Sequence, residues 1–320
     1  MYSIGVDLGG TNIAVGLVDE NYKIVQKIST PTLSGRPAEE IVADISKLCR
    51  KVMEAQKVSV EDIKTLGIAS PGTVDSKTGY VVYSNNLHFK DLPIAKLVSE
   101  QTGVKNVIVE NDANAAALGE SVAGAAKDVE NSVMITLGTG VGGGIIIGNK
   151  LFTGLKGAGA EPGHTVIEFG GRQCSCGRRG CWEAYSSATA IINMTKEKIE
   201  ECEKAGRKTL MTELVRKKGK VSGVTAFDAM RAGDEAGREV VDVYLDYLAC
   251  GLTNIVNTFR PDVISLGGGV SNEGQSLIDA LLPRIRKEQF GGPDSNSQVE
   301  IRIAKLGNDA GIIGAAALEK

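Results

Sequence analysis

The chain has 320 residues, 42% of them apolar and 4% aromatic, with 36 Lys and Arg against 39 Asp and Glu for a formal net charge of −3. That length accommodates two lobes of ordinary domain size, and the apolar share excludes wholesale disorder. With no long basic run and few aromatic rings, no electrostatic or stacking footprint exists for nucleic acid or an anionic membrane, and no apolar run approaches the ~18–20 residues that span a bilayer.

Met1-Tyr2-Ser3-Ile4 lacks the positive start of a secretory signal and leads straight into a strand pattern containing Asp7, so a cytoplasmic location is expected. Residues 4–19 read as strand, glycine turn at Gly9-Gly10, and strand, with a third strand at 24–28. Residues 38–56 carry apolar side chains at Ile41, Val42, Ile45, Leu48, Val52 and Met53, which is helical spacing. A short buried strand at 65–69 ends in the turn Ser70-Pro71-Gly72, another strand is expected at 107–109, and a small-residue helix at 114–122.

The chain then restarts. Residues 133–147 repeat the opening pattern at one offset of 129 residues, matching Asp7 to Thr136, Leu8 to Leu137 and Gly9 to Gly138. A unit that occurs twice predicts two related lobes. Residues 186–259 read as mostly helical, with a charged, solvated stretch at 196–220 and a long helix over 234–259. A buried strand at 263–266 runs into Gly267-Gly268-Gly269, and a strand at 300–304 and a helix at 310–318 close the chain. The expected division is 1–119 as a small α/β lobe, with 305–320 packing back on it, and 120–304 as a larger α/β lobe.

Gly138-x-Gly140-x-x-Gly143 matches the dinucleotide fingerprint by letter, but Ile145-Ile146-Ile147 continue as strand where that fingerprint needs a helix. Gly143 and Gly148 lead to Asn149-Lys150, so no P-loop is present either. Hairpin loops that cradle phosphates fit better, because glycine lets backbone N–H groups approach anionic oxygens. Gly9-Gly10-Thr11-Asn12 and Gly138-Thr139-Gly140 are the two candidates, and Asp7 is placed to hold a magnesium ion that bridges phosphate oxygens.

Two further constellations carry chemistry. Asp112, in Val109-Glu-Asn-Asp-Ala-Asn114, follows a strand and opens a helix, where backbone N–H groups favour the ionised carboxylate. A plain N-cap would account for it, but the flanking Asn111 and Asn114 add polar groups that a connector does not need. His164, Cys174, Cys176 and Cys181 form a Cys₃His set on a glycine-rich ribbon, the regular donor set of structural zinc. Four protein ligands leave no open position, so that ion builds structure and fixes the neighbouring acids Glu161 and Glu183. Cys49, Cys202 and Cys250 sit among apolar neighbours and read as reduced core thiols.

Asp7-Leu-Gly-Gly-Thr-Asn12, Leu137-Gly-Thr-Gly-Val-Gly-Gly-Gly144 and Leu266-Gly-Gly-Gly-Val270 resemble the two phosphate loops and the adenosine motif of the actin-like ATPases. Over essentially its whole length the chain is similar to the ROK family of sugar kinases and repressors, and within it to the glucokinase-like kinases. That resemblance implies an α/β, two-lobed actin-like (ribonuclease H-like) fold with an interlobe cleft. It implies Asp112 as the general base for a sugar hydroxyl, with Asn111, Gly72, Asn86 (or Asn85), Glu161, His164 and Glu183 holding the sugar. It also implies ATP, Mg²⁺ and structural Zn²⁺ as cofactors, and a homodimer or homotetramer. The expected activity is transfer of the ATP γ-phosphate to the 6-hydroxyl of glucose. N-acetylmannosamine or another hexose is the alternative substrate, since Phe89 stands where glucokinases commonly have Trp. A sugar-responsive ROK regulator is the alternative function. Such repressors carry an added N-terminal helix-turn-helix domain, for which a first phosphate loop at residue 7 leaves no room.

Overall fold

The computed structural model describes residues 1–294 and 296–319. Ser295, in the expected larger lobe, and Lys320, the last residue of the expected 305–320 span, lie outside the described residues. The strands are β1 (Tyr2–Leu8), β2 (Asn12–Val18), β3 (Ile24–Pro31), β4 (Ile63–Ser70), β5 (Thr73–Asp75), β6 (Tyr80–Ser84), β7 (Phe89–Leu92), β8 (Val107–Asn111), β9 (Ser132–Leu137), β10 (Val141–Ile147), β11 (Lys150–Phe152), β12 (Val263–Gly267) and β13 (Glu300–Ile303). The helices are α1 (Ala38–Gln56), α2 (Ile94–Thr102), α3 (Asp112–Val122), α4 (Glu183–Ser186), α5 (Ala188–Lys204), α6 (Leu210–Lys218), α7 (Thr225–Arg231), α8 (Glu235–Phe259), α9 (Gln275–Glu288) and α10 (Ala310–Ala316).

Two five-stranded sheets, β3-β2-β1-β4-β8 and β11-β10-β9-β12-β13, share one order. Counted within each sheet, it is a hairpin meander followed by two further strands. In the first sheet β1, β2 and β3 pair antiparallel, while β1–β4 and β4–β8 are parallel. The matched orders give the repeat at residue 133 a structural counterpart. A third sheet, β5-β6-β7, is antiparallel and was not expected from the sequence. Its strands are three to five residues long and one pairing is irregular, so they offer no sustained alternation to read.

The chain divides into two compact units, one of Met1–Met134, Gly143–Ala160 and Ala304–Lys320, the other of Ile135–Gly142 and Glu161–Ile303. The first thus takes in more than residues 1–119 and the C-terminal stretch, and the division runs through the β9–β10 hairpin. Among the described residues, no helix is long and apolar enough to cross a membrane.

Alternation along β1 organises the first unit. Ile4, Val6 and Leu8 are fully buried and pack with Ile41, Val42, Ile45 and Val52 of α1, the apolar stripe anticipated from helical spacing. The opposite face presents Gly5 of β1 and Gly67 of β4, which pair in register. A Cβ at Gly5 would overlap the carbonyl oxygen of Ile312, and one at Gly67 that of Ala315, so α10 lies directly on the backbone of the sheet. Close approach of this kind is available only to glycine.

Gly67→Ala should therefore displace α10 and lower stability by about 1–3 kcal/mol through overpacking. Gly35→Ala, at an exposed site with nothing within 4 Å of the added carbon, is the matched control and should leave the melting temperature unchanged.

Candidate active site and metal centre

In the first unit the parallel strands deliver their polar residues at their C-terminal ends. Asp7 pairs with Ala69, Ala69 with Glu110, and Ser70 with Asn111, so the three strands end in one row and Asp112 follows directly. Strand ends of this type are where α/β sheets bind ligands. Helix α3 begins at Asp112, which the sequence places at a helix opening, because the Asn111 side chain caps it. Asn111 Oδ1 accepts from Ala113 N–H at 2.9 Å and Asn114 N–H at 3.2 Å. Asn111 Nδ2 donates to the Gly72 carbonyl at 3.1 Å, bringing together two of the predicted sugar-holding residues.

Asp112 Oδ1 accepts from Ala113 N–H at 2.9 Å. Its side chain reaches solvent in protein-dense surroundings, and the loss of water there raises its pKa above the ordinary Asp value. The Ala113 N–H and the Asn111 side chain oppose that rise.

Asp7 is pushed up to about 6, first by burial and then by repulsion from Asp112, with Lys27 opposing. Gly311 of α10 sits against it: an added Cβ would be 3.0 Å from Asp7 Cγ. Lys27 also pairs with Asp309, at the start of α10. The first glycine loop is closed by Gly9 N–H to Asn12 O at 2.9 Å, and Thr32 Oγ1 donates to Gly9 O at 2.6 Å. Thr11 and Asn12 are exposed. Asn86, exposed, adjoins the loop, with its Cβ 3.7 Å from where a Gly10 Cβ would stand.

In the second unit Gly138 N–H bonds Gly140 O at 3.0 Å, and Thr189 Oγ1 holds Thr139 O at 2.8 Å. Gly267-Gly268-Gly269 meets this loop at its base. Gly268 has φ +84°, and a Cβ there would stand 2.6 Å from the Leu137 carbonyl carbon. Glu183 Oε2 accepts from Val141 N–H at 3.1 Å, and Oε1 accepts from Ser175 Oγ at 3.1 Å. Glu183 therefore joins the glycine loop to the cysteine ribbon, an internal role that its position after Trp182 gave no sign of. Glu161 is exposed, and its carbonyl accepts from His164 N–H at 3.2 Å.

The ribbon brings the four predicted ligands together. Their donor atoms all lie within 4.8 Å of one another. Cys176 Sγ is 3.7 Å from Cys181 Sγ, and Cys174 Sγ is 3.7 Å from His164 Nδ1. A tetrahedral ion with Zn–S of about 2.3 Å sets neighbouring sulfurs about 3.8 Å apart, whereas a disulfide needs about 2.05 Å. The donor set and its spacing fit zinc. Local bridges Val166↔Cys181 and Gln173↔Arg179 shape the ribbon. Trp182, fully buried, pins its end to α8 through Nε1 to Tyr247 O at 3.1 Å.

Residues that short-range reading missed are Thr32, Lys27, Glu110, Ser76 and Gly311. Thr32, Lys27 and Gly311 act on Gly9 and Asp7 far away in sequence, and Ser76 donates to the equally distant Glu110, so no local spacing could reveal them. Glu110 stood in view beside Asn111 and was left without a role.

The Asp7 shift has a stability consequence. Its folded pKa lies above the ordinary 3.8, so ionisation costs the folded state nothing below pH 3.8 and the full amount above about pH 6. The cost is on the order of 2–3 kcal/mol at most. Without nucleotide or magnesium, Asp7→Asn should raise the melting temperature at pH 8, and the gain should vanish near pH ~4, as thermal melts across pH will show.

Residues 3–320 match the profile of the ROK family. A glucokinase of Thermotoga maritima is 37% identical over 318 residues, covering 99% of this chain and 96% of its own length. A xylose repressor of Bacillus spizizenii is 32% identical over 99% of this chain and 76% of the repressor. The crystal structure of a ROK family glucokinase from Streptomyces griseus in complex with glucose and AMPPNP aligns with a TM-score of 0.79 at 35% identity, covering 99% of this chain and 98% of that one. The fold is that of the actin-like ATPases, as the family resemblance implied. A match that runs through both loops, the Asp112 turn and the Cys–His ribbon makes this chain a member of the ROK family.

Proposed function

We propose that this chain is a hexose kinase that transfers the γ-phosphate of ATP to the 6-hydroxyl of glucose. The observation that carries the reading is full-length likeness to glucokinases, one of them solved with glucose and AMPPNP. Asp112 is assigned as the general base. Capped and oriented by Asn111, and made more basic by loss of water, it accepts the hydroxyl proton as the oxygen attacks phosphorus. Asn111, Gly72, Asn86, Glu161, His164 and Glu183 are assigned to the sugar hydroxyls. Phosphoryl transfer asks little covalent chemistry of the protein, so positioning and neutralisation of charge do the rest. The glycine loops at residues 9–12 and 138–140 are assigned to the phosphates and Gly267–Gly269 to the adenosine. Asp7 would hold Mg²⁺, which offsets phosphate charge and would draw the Asp7 carboxyl back to its ionised form.

Zinc at His164, Cys174, Cys176 and Cys181 would be structural, with no open position for water. Its free-thiol ligands suit a reducing, cytoplasmic setting. We extend the proposal to a homodimer or homotetramer, which sedimentation will test.

A sugar-responsive regulator is the second reading, favoured by the likeness to the xylose repressor. Sugar-dependent ADP release separates the two. A coupled ADP-release screen over glucose, mannose, allose, N-acetylglucosamine and N-acetylmannosamine should give glucose the highest kcat/KM. No release with any of them would sink the kinase reading.

Asp112→Asn should keep the fold and sugar binding while kcat falls ~10²–10⁴-fold, the usual contribution of a general base. In the wild type, kcat/KM should decline on the acid side through an apparent pKa above 3.8, because the base must be ionised to work. Wild-type turnover in Asp112→Asn would reject the assignment.

Elemental analysis should find about one zinc per chain. Cys176→Ala should release it, lower the melting temperature and raise KM for the sugar together, since Glu183 contacts Ser175 of the same ribbon. A metal-free protein with full activity would remove zinc from the proposal and leave the kinase standing.

A further inference from the structure

Glu110 immediately precedes the Asn111-Asp112 pair at the end of β8 and is 2% exposed. A buried carboxylate is costly unless its oxygens are satisfied. Here three donors satisfy it, and among the described residues it makes no ion pair. Oε1 accepts from the Asn111 backbone N–H at 2.8 Å and from Asn114 Nδ2 at 3.0 Å. Oε2 accepts from Ser76 Oγ at 2.6 Å.

The three donors belong to segments that need to be held in mutual register. Asn111 N–H is the backbone of the residue assigned to the sugar. Asn114 lies in the first turn of α3, whose first residue is Asp112. Ser76 follows β5 directly, and Gly72 precedes it. Since Asn111 Nδ2 also holds the Gly72 carbonyl, the Glu110–Asn111 dipeptide grips β5 at both ends. The Asp112 turn and the Gly72–Ser76 segment are thus tied together by the Glu110 carboxylate and the Asn111 side-chain amide. A base and its substrate contacts misplaced by a fraction of an ångström lose rate, which is the reason such preorganisation matters.

We propose that Glu110 is a positioning residue of the sugar half of the reaction, setting the Asn111-Asp112 peptide and the Gly72–Ser76 segment against each other. The inference rests on the kinase reading for its substrate and on hydrogen bonds alone for its geometry. Shape and acceptor count, more than net charge, are what the site needs. A glutamine keeps Oε1 for Asn111 and Asn114, and its amide can donate to Ser76 Oγ, whose hydroxyl rotates to accept.

The experiment is steady-state kinetics with glucose and ATP varied separately, on Glu110→Ala, Glu110→Gln, Asn111→Ala and the Glu110→Ala/Asn111→Ala double variant. Glu110→Ala should lower kcat/KM for glucose ~10–100-fold while KM for ATP stays within ~2-fold, and Glu110→Gln should recover most of the loss. In the Asn111→Ala background, adding Glu110→Ala should cost less than it does alone, because the carboxylate then positions Asp112 but no longer the Asn111 side chain. Equal damage to both substrates, no recovery by glutamine, or full additivity with Asn111→Ala overturns the proposal. If Glu110→Ala fails to fold, Ser76→Ala takes its place and should show the same split at a smaller size; no split there overturns it equally. Amide exchange at Asn111 and Ala113 reads positioning without turnover. Faster exchange in Glu110→Ala but not in Glu110→Gln supports the assignment even if no hexose is phosphorylated, an outcome that would reject only the kinase reading. Unchanged exchange overturns the positioning role whatever the kinetics show.

Discussion

Helix α10 touches the first sheet at a distance that leaves no room for one side-chain carbon, and the rest of the first unit follows from that contact. Gly5 and Gly67 meet the carbonyls of Ile312 and Ala315 on the sheet, while a Cβ on Gly314 would overlap the Ala115 carbonyl of α3. Three elements are locked backbone to backbone, with dispersion contacts in place of side-chain interdigitation. The fully buried Glu120 of α3 strengthens the lock by accepting from Lys305 N–H at 3.1 Å and Leu306 N–H at 2.8 Å, just ahead of α10. The contact reaches both carboxylates singled out from the sequence. Gly311 backs the Asp7 carboxyl, and α3 carries Asp112 at its first position.

In that arrangement burial, and after it the nearness of Asp112, raise the pKa of Asp7. Ionising Asp7 in these surroundings costs the folded state free energy, because the carboxylate loses water and faces a second carboxyl.

In the second unit the same economy appears in the cysteine ribbon. Glu183 links Val141, beside the glycine loop, to Ser175, beside two of the thiols. Ordering the ribbon therefore orders the loop. Trp182, held by Tyr247 and lying against Gly251, transmits the rigidity of α8 to the same point.

Much of this was legible before any fold was known. The glycine hairpins, the repeat at residue 133, the Cys₃His spacing and the helix opening at Asp112 are local patterns, determined by which residues tolerate tight turns, bind metals or cap helices. The full-length family resemblance rests on those same short strings. What only the tertiary structure decided is how distant pieces meet. No spacing announces that Gly311 closes on Asp7, that Thr32 holds the Gly9 carbonyl, or that Ser76 reaches Glu110. The short strands β5, β6 and β7 were likewise invisible, because runs of three to five residues hold too few turns of any period to stand out from a loop. Sequence determines the chemistry that each segment can offer; close packing of backbones far apart in the chain decides which of those offers become one site.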